Sequence, residues 1–235
     1  MILADLRSLR SFCRDEQPSP PDNFMFWVRA NITIDSEEDI TSFRDIARDY
    51  MMDAANIAGA ASLLDLDLEM IFNPRDENML RWLQERSLRE AQLIQGVTDM
   101  EVLQVLWDVV YEGDYTIKKA VEGLKDSYAF SDSRAQTIAR TEIIGAARSG
   151  QFHADRQSGI VIGKKWVSAM QERTRPGHRA ASGQVVALDE PFRVANGKGE
   201  YESLLFPSDT SLGASASNVI SCRCHYQRIL EGEDL

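Results

Sequence analysis

Cys222 and Cys224 stand one residue apart, and with His178 or His225 they offer the thiolate and imidazole donors that zinc takes. The two-residue spacer usual between zinc cysteines is missing and no fourth ligand is evident, so two small buried thiols are the preferred reading. A Cys-His nucleophile pair would need a recognisable spacing and an acid to orient the imidazole, and the sequence shows neither. Glu142 stands out for a different reason. An apolar stripe through Ala135, Ile138, Ala139, Glu142 and Ala146 places its carboxylate in the middle of a helix face. Buried there, it must be paired or neutral, which makes it a buried ion pair in the preferred reading and a general acid or base in the other. Glu172, Arg173, Thr174, Arg175 and His178 crowd polar groups into one turn, and Arg173 or Arg175 is the expected partner of Glu142, since a guanidinium grips a carboxylate through two hydrogen bonds. The expected polar core is therefore Glu142, Arg173, Arg175, His178, Cys222 and Cys224. No catalytic residue and no bound cofactor is expected; were zinc to bind, His178, Cys222 and Cys224 would hold it.

The elements that must position these residues follow from periodicity. Residues 131–159 read as one long helix opened by Ser131 or Asp132 and closed at Gly159, with His153 a partly exposed residue on it. After Gly163 the period shortens. Lys164–Ser168, Gln184–Leu188 and Val219–Ile229 read as three strands, the last carrying Cys222, Cys224 and Tyr226 on one side and Arg223 on the other. A helix packed on a few antiparallel strands is an α+β domain. Before it, Ser36–Leu64 carries Ile40, Phe43, Ile46, Ala47 and Tyr50 at helical spacing, and Asn78–Ile94 carries Leu80, Leu83, Leu88 and Ala91. Thr98 and Thr116 open two further predicted helices. Residues 1–35, with three prolines in DEQPSPPD and the apolar Phe24–Val28 patch after it, read as an extended segment. The expected organisation is 1–35 as that segment, 36–130 as an acidic helical region and 131–235 as the α+β domain.

The chain has 235 residues, 43% of them hydrophobic, enough to bury a core. Its 37 acidic and 26 basic residues give a net charge of −11, which argues against coating nucleic acid with the bulk surface. Residues 1–130 hold 25 acids and 13 bases, while residues 131–235 hold 12 acids and 13 bases. An acidic first region suits a basic protein surface; the near-neutral second region is the place where DNA contact could occur. Lys164, Lys165, Arg223 and Arg228 are the candidate DNA contacts there, a solvated face being the other reading. No apolar run reaches the length needed to cross a bilayer, and the first residues lack a basic start and an uninterrupted apolar core, so a cytoplasmic chain is expected. Three cysteines make no disulfide framework.

Taken in order, IARTEIIGAARSGQ, KKWVSAMQERTRPGHRAASGQVVALDEPF, FPSD and NVISCRC resemble the phage head morphogenesis domain named for protein F of bacteriophage Mu. The ordered set covers about residues 116–229. The resemblance implies a minor head protein of a tailed phage or prophage. Such a protein is made in the host cytoplasm, enters the head with the portal protein and remains in the virion, with roles in DNA packaging and ejection. Portal protein, scaffold or major capsid protein and packaged DNA are the partners it implies, and no membrane. Some relatives have Cys-x-x-Cys where this chain has Arg175 and His178, which would complete a four-ligand zinc site with the two terminal cysteines. The competing class is an enzyme delivered with the virion. That would be a metal-assisted hydrolase using His178, Cys222 and Cys224, or an ADP-ribosyltransferase-like domain using Glu142 and Arg140.

Overall fold

The computed structural model describes residues 36–111, 123, 126, 127 and 131–232. Residues 1–35 and the helix expected from Thr116 lie outside the described residues. The chain divides into two units, Met1–Arg44 with Arg89–Gln136 and Asp45–Leu88 with Thr137–Leu235. The second unit joins part of the acidic helical region to the α+β domain, so its boundaries differ from the break expected near residue 130. The physical reason is a shared core: Met51, Ala55, Met79, Trp82 and Leu83 are buried in one cluster with Phe152, Trp166, Phe192 and Phe206.

Three long helices cross these units: α1 (Ser36–Asp65), α2 (Glu77–Tyr111) and α3 (Asp132–Ser158). Existence and start of α1 follow the sequence pattern, but its buried face does not. Met51, Ala55 and Leu63 point inward while Ile46 and Tyr50 are 60% and 67% exposed. The expected stripe and the actual one are both 3–4 repeats, offset around the helix, and periodicity alone does not choose between them. On α2 the buried row is Met79, Trp82, Leu83, Arg86 and Ala91, with Leu80 and Leu88 exposed. Thr98 does not open a new helix. Its hydroxyl bonds back to the carbonyl of Ile94 at 2.9 Å, inside a continuous α2. In the first unit Arg134 donates to the Ile94 carbonyl and to Thr98 at 2.8 and 3.0 Å. The Ser131 hydroxyl accepts from the Arg134 amide at 3.2 Å, capping α3.

The second unit is the α+β fold. Strand β1 (Val161–Val167) lies between β2 (Val185–Ala187) and β5 (His225–Leu230), antiparallel to both. Gly163 pairs with Ala187 on one side, and Trp166 pairs with Tyr226 on the other. A separate hairpin joins β3 (Phe192–Ala195) to β4 (Tyr201–Leu204), with Phe192 opposite Leu204. Each strand has only four residues, and the turn between them is built by Asn196, whose side-chain oxygen accepts from the amides of Lys198 and Glu200. The expected strand through the cysteines begins later, at His225. The segment before it is the short helix α5 (Ala216–Val219) followed by a turn in which Ser221 takes a left-handed φ of 52°. A fourth, five-residue helix, α4 (Pro176–Ala180), carries His178 inward. Helices α1 and α3 meet closely at Gly150, where an added Cβ would lie 2.0 Å from the Ala55 carbonyl oxygen.

Candidate functional site

Glu142 is paired, but with neither arginine expected from the sequence. Arg86 of α2 reaches it from the other side of the helix layer, Nε to Oε2 at 2.8 Å and Nη2 to Oε1 at 3.3 Å. The same guanidinium donates to the Ser208 carbonyl at 2.7 Å and lies over the Trp82 ring at 5.4 Å. Arg173 is exposed, and Arg175 donates to the Ile220 carbonyl at 2.5 Å, so the expected staple between helix and loop does not form. The reason is placement: Arg86 sits on the apolar row of α2 and is already desolvated, whereas the Arg173–Arg175 turn faces the surface. Arg148, one helical turn and a half beyond Glu142, holds the same loop from the α3 side through the Ser208 hydroxyl at 2.6 Å and the Cys222 carbonyl at 3.1 Å. Two arginines thus clamp Ser208, a residue with a left-handed φ of 73°. Both Glu142 carboxylate oxygens thus accept from one buried guanidinium.

The His178, Cys222 and Cys224 side chains do come together, all buried, with ligand atoms within 4.8 Å of one another. His178 Nδ1 is 3.4 Å from Cys224 Sγ and 3.6 Å from Cys222 Sγ. Its Nε2 is 3.0 Å from Asn218 Oδ1, while the Asn218 amide nitrogen donates to Glu202 at 2.8 Å. Because that nitrogen is committed as a donor, Oδ1 must accept, so Nε2 carries the proton and Nδ1 presents its lone pair to the thiols. A hydrogen bond from the Cys224 thiol pulls the pKa of Cys222 down, with His178 and Arg148 adding to the effect; Cys224 is pushed up by the same contact. The N–S separations are near the edge of about 3.6 Å that tetrahedral zinc geometry requires. A closed structural zinc site takes four ligands, however, and among the described residues only these three converge. Arg175 donates to the Ile220 carbonyl instead of facing the trio.

Of the candidate DNA contacts, Lys164 is buried on the inner face of β1, donating to the Leu188 carbonyl with its ammonium over the Phe152 and Phe192 rings at 4.9 and 5.4 Å. Burial lowers its pKa to about 8. Alternation along the strand explains why only Lys165 reaches solvent. Arg228 is also engaged, its Nε donating to Asp155 at 2.9 Å. Lys164 is thus buried and Arg228 half-buried, while Lys165 and Arg223 are exposed. His153 is a further correction, being buried, and burial lowers its pKa to about 4.

Two buried aspartates were missed. Asp155 accepts from Ser62 at 2.8 Å, Tyr226 at 2.5 Å and Arg228. Asp209 accepts from the Trp82 indole at 3.3 Å, the Leu205 amide, and the amide and hydroxyl of Ser211. Both tie distant segments of the unit together. A cleft of about 640 Å³ opens over Ser62, Tyr226 and Arg228, but their polar atoms are already engaged with Asp155. A smaller one of about 290 Å³ adjoins His178 and Cys224 and is rimmed by arginines.

Comparison with known proteins places residues 100–227 within the family described as Phage Mu protein F like protein. The uncharacterized protein YqbB of Bacillus subtilis (strain 168) is 25% identical over 195 residues, which cover 82% of this chain and 62% of that protein. Minor head protein GP7 of Bacillus phage SPP1 is 27% identical over 104 residues, 43% of this chain and 31% of that protein. The chain thus spans less than two thirds of the length of either relative. No solved structure matches it significantly. Among the described residues, no helix is long and apolar enough to cross a membrane.

Proposed function

The chain belongs to the Phage Mu protein F like family, and on that premise we propose that it is a minor head protein of a tailed phage or prophage. It would bind at the portal inside the head, where it takes part in assembly and in DNA packaging or ejection. The observation that carries this reading is the family match over more than half the chain, supported by similarity to a protein named as a minor head protein. The interior of the second unit is consistent with a non-enzymatic part. Glu142, Asp155 and Asp209 are each bound by several donors within the fold, which suits residues that hold segments together. We read the His178 trio as a metal-free polar core on the same grounds, since Asn218 fixes the imidazole and Arg148 the Cys222 backbone.

The acidic first region is assigned to the portal or another head component, through charge complementarity with a basic surface. The test is co-purification with the portal protein encoded by the same phage, together with detection of the chain in purified virions. Retention on the portal and presence in virions are expected. Absence of both overturns the reading.

A further inference from the structure

The cleft of about 290 Å³ beside His178 is lined by Arg140, exposed on α3, Arg173 and Arg175 in the turn before α4, and Arg223 between the two cysteines. Thr174 and Ser221 contribute hydroxyls to the same wall, and no carboxylate lines it. In a chain of net charge −11, four arginines lining one small cleft without an acid among them form a local positive spot. Two of the four are held in place: Arg175 by the Ile220 carbonyl and Arg223 by Gln171 Oε1 at 3.1 Å. Arg140 and Arg173 make no hydrogen bond or ion pair with the described residues. Like charges brought together in this way repel unless an anion joins them, and planar guanidinium groups match phosphate oxygens in pairs.

We propose that this cleft binds a phosphate group, either a phosphodiester of nucleic acid or a soluble phosphate compound. Its volume is at the small end for ligand sites, which suits one phosphate with its immediate neighbours and not a whole nucleotide held in a deep pocket. Buried His178 and Cys224 close the inner wall, so the ligand meets the arginines from the outside and no chemistry on the thiols is required. The nucleic-acid arm of the inference rests on the reading of the chain as a head protein that meets packaged DNA; the phosphate site itself does not.

The test uses the full chain. Binding of a fluorescein-labelled 20-bp duplex is followed by anisotropy at several salt concentrations, and inorganic pyrophosphate binding by calorimetry. The double variant Arg140→Ala/Arg173→Ala removes the two unbonded, exposed arginines; Arg75→Ala/Lys198→Ala removes the same charge from exposed residues outside the cleft. The cleft variant is expected to weaken duplex binding by at least about tenfold and to cut the slope of log affinity against log salt by about 2, with less than about threefold change in the control variant. Loss confined to pyrophosphate assigns the cleft to soluble phosphate compounds. If neither probe binds, or both variants lose binding equally, the proposal is overturned. Portal co-purification of the cleft variant is measured alongside: its retention shows that a failed phosphate site leaves the head-protein reading standing.

Discussion

Replacing Glu142 by glutamine isolates the charge of the buried pair. The Arg86 side chain is 1% exposed and that of Glu142 9%, so neither charge has solvent to fall back on. Glutamine keeps the size of the side chain and one acceptor oxygen, and Arg86 keeps the Ser208 carbonyl and the Trp82 ring. What it loses is compensation of a buried positive charge, a change that costs roughly 3–5 kcal/mol when one partner of a buried pair is removed. The retained neutral hydrogen bond returns about 1 kcal/mol, leaving an expected loss of about 2–4 kcal/mol. With a urea m-value of about 2 kcal/mol/M, the unfolding midpoint should fall by roughly 1–2 M. The double variant Arg86→Met/Glu142→Leu removes both charges and fills the space with apolar groups, so it should recover most of the loss. Urea unfolding of wild type, the single variants Arg86→Met and Glu142→Leu and the double variant closes the cycle. If Glu142→Gln lies within about 0.5 kcal/mol of wild type, the pair is not the buried clamp argued above. If the double variant is as unstable as the sum of the singles, packing and not charge is responsible.

His153 gives a pH-dependent expectation. Burial, with the positive charge of Arg156 nearby, holds its pKa at about 4, against the opposing pull of Asp76 and Asp209. The unfolded chain takes up a proton near pH 6.5 that the fold refuses until about pH 4, so the stabilising contribution is complete above pH 6.5 and is lost as the pH falls between these values. Wild type should lose up to about 3 kcal/mol more than His153→Gln across that window in denaturant titrations, and parallel curves would contradict the burial of a neutral imidazole. Zinc analysis of protein purified under reducing conditions tests the metal-free reading of the His178 trio. A content well below one equivalent per chain is expected, and one equivalent that survives dialysis would overturn that reading.

The long helices, the α+β class and the central strands were legible because their patterns are local: 3–4 spacing over many residues, or a Lys-Trp-Val run bounded by glycine. The pairing of charges was not, because it depends on which helix faces which. The logic that singled out Glu142 applies equally to Arg86, which stands in the row Met79, Trp82, Leu83, Arg86 on a second helix. An acid on one apolar stripe and a base on another are natural partners, and the sequence reading looked for the base only in the nearest polar turn. Burial of Glu142, His178, Cys222 and Cys224 agrees with the expected core; Arg173 and Arg175 were assigned there because a polar cluster reads the same whether it faces inward or outward. Lys164 shows the converse. Adjacent lysines in a strand look like a surface pair, yet the pleat sends one of them into an aromatic cage.

Sorting the basic residues by what they touch separates two roles that composition blends. Arg86, Arg148, Lys164 and Arg228 are drawn into the fold, each meeting a carboxylate, a backbone carbonyl or aromatic rings, and their charge is largely neutralised or screened inside the second unit. Arg140 and Arg173 stay outside, and Arg175 and Arg223 use their bonds to hold position beside them. The first set explains why the unit holds together with so many buried polar groups. The second leaves positive charge concentrated at a single cleft. A region that looks neutral by its count of acids and bases can therefore present a local positive field, and it is this local field, not the net charge, that decides which anion approaches.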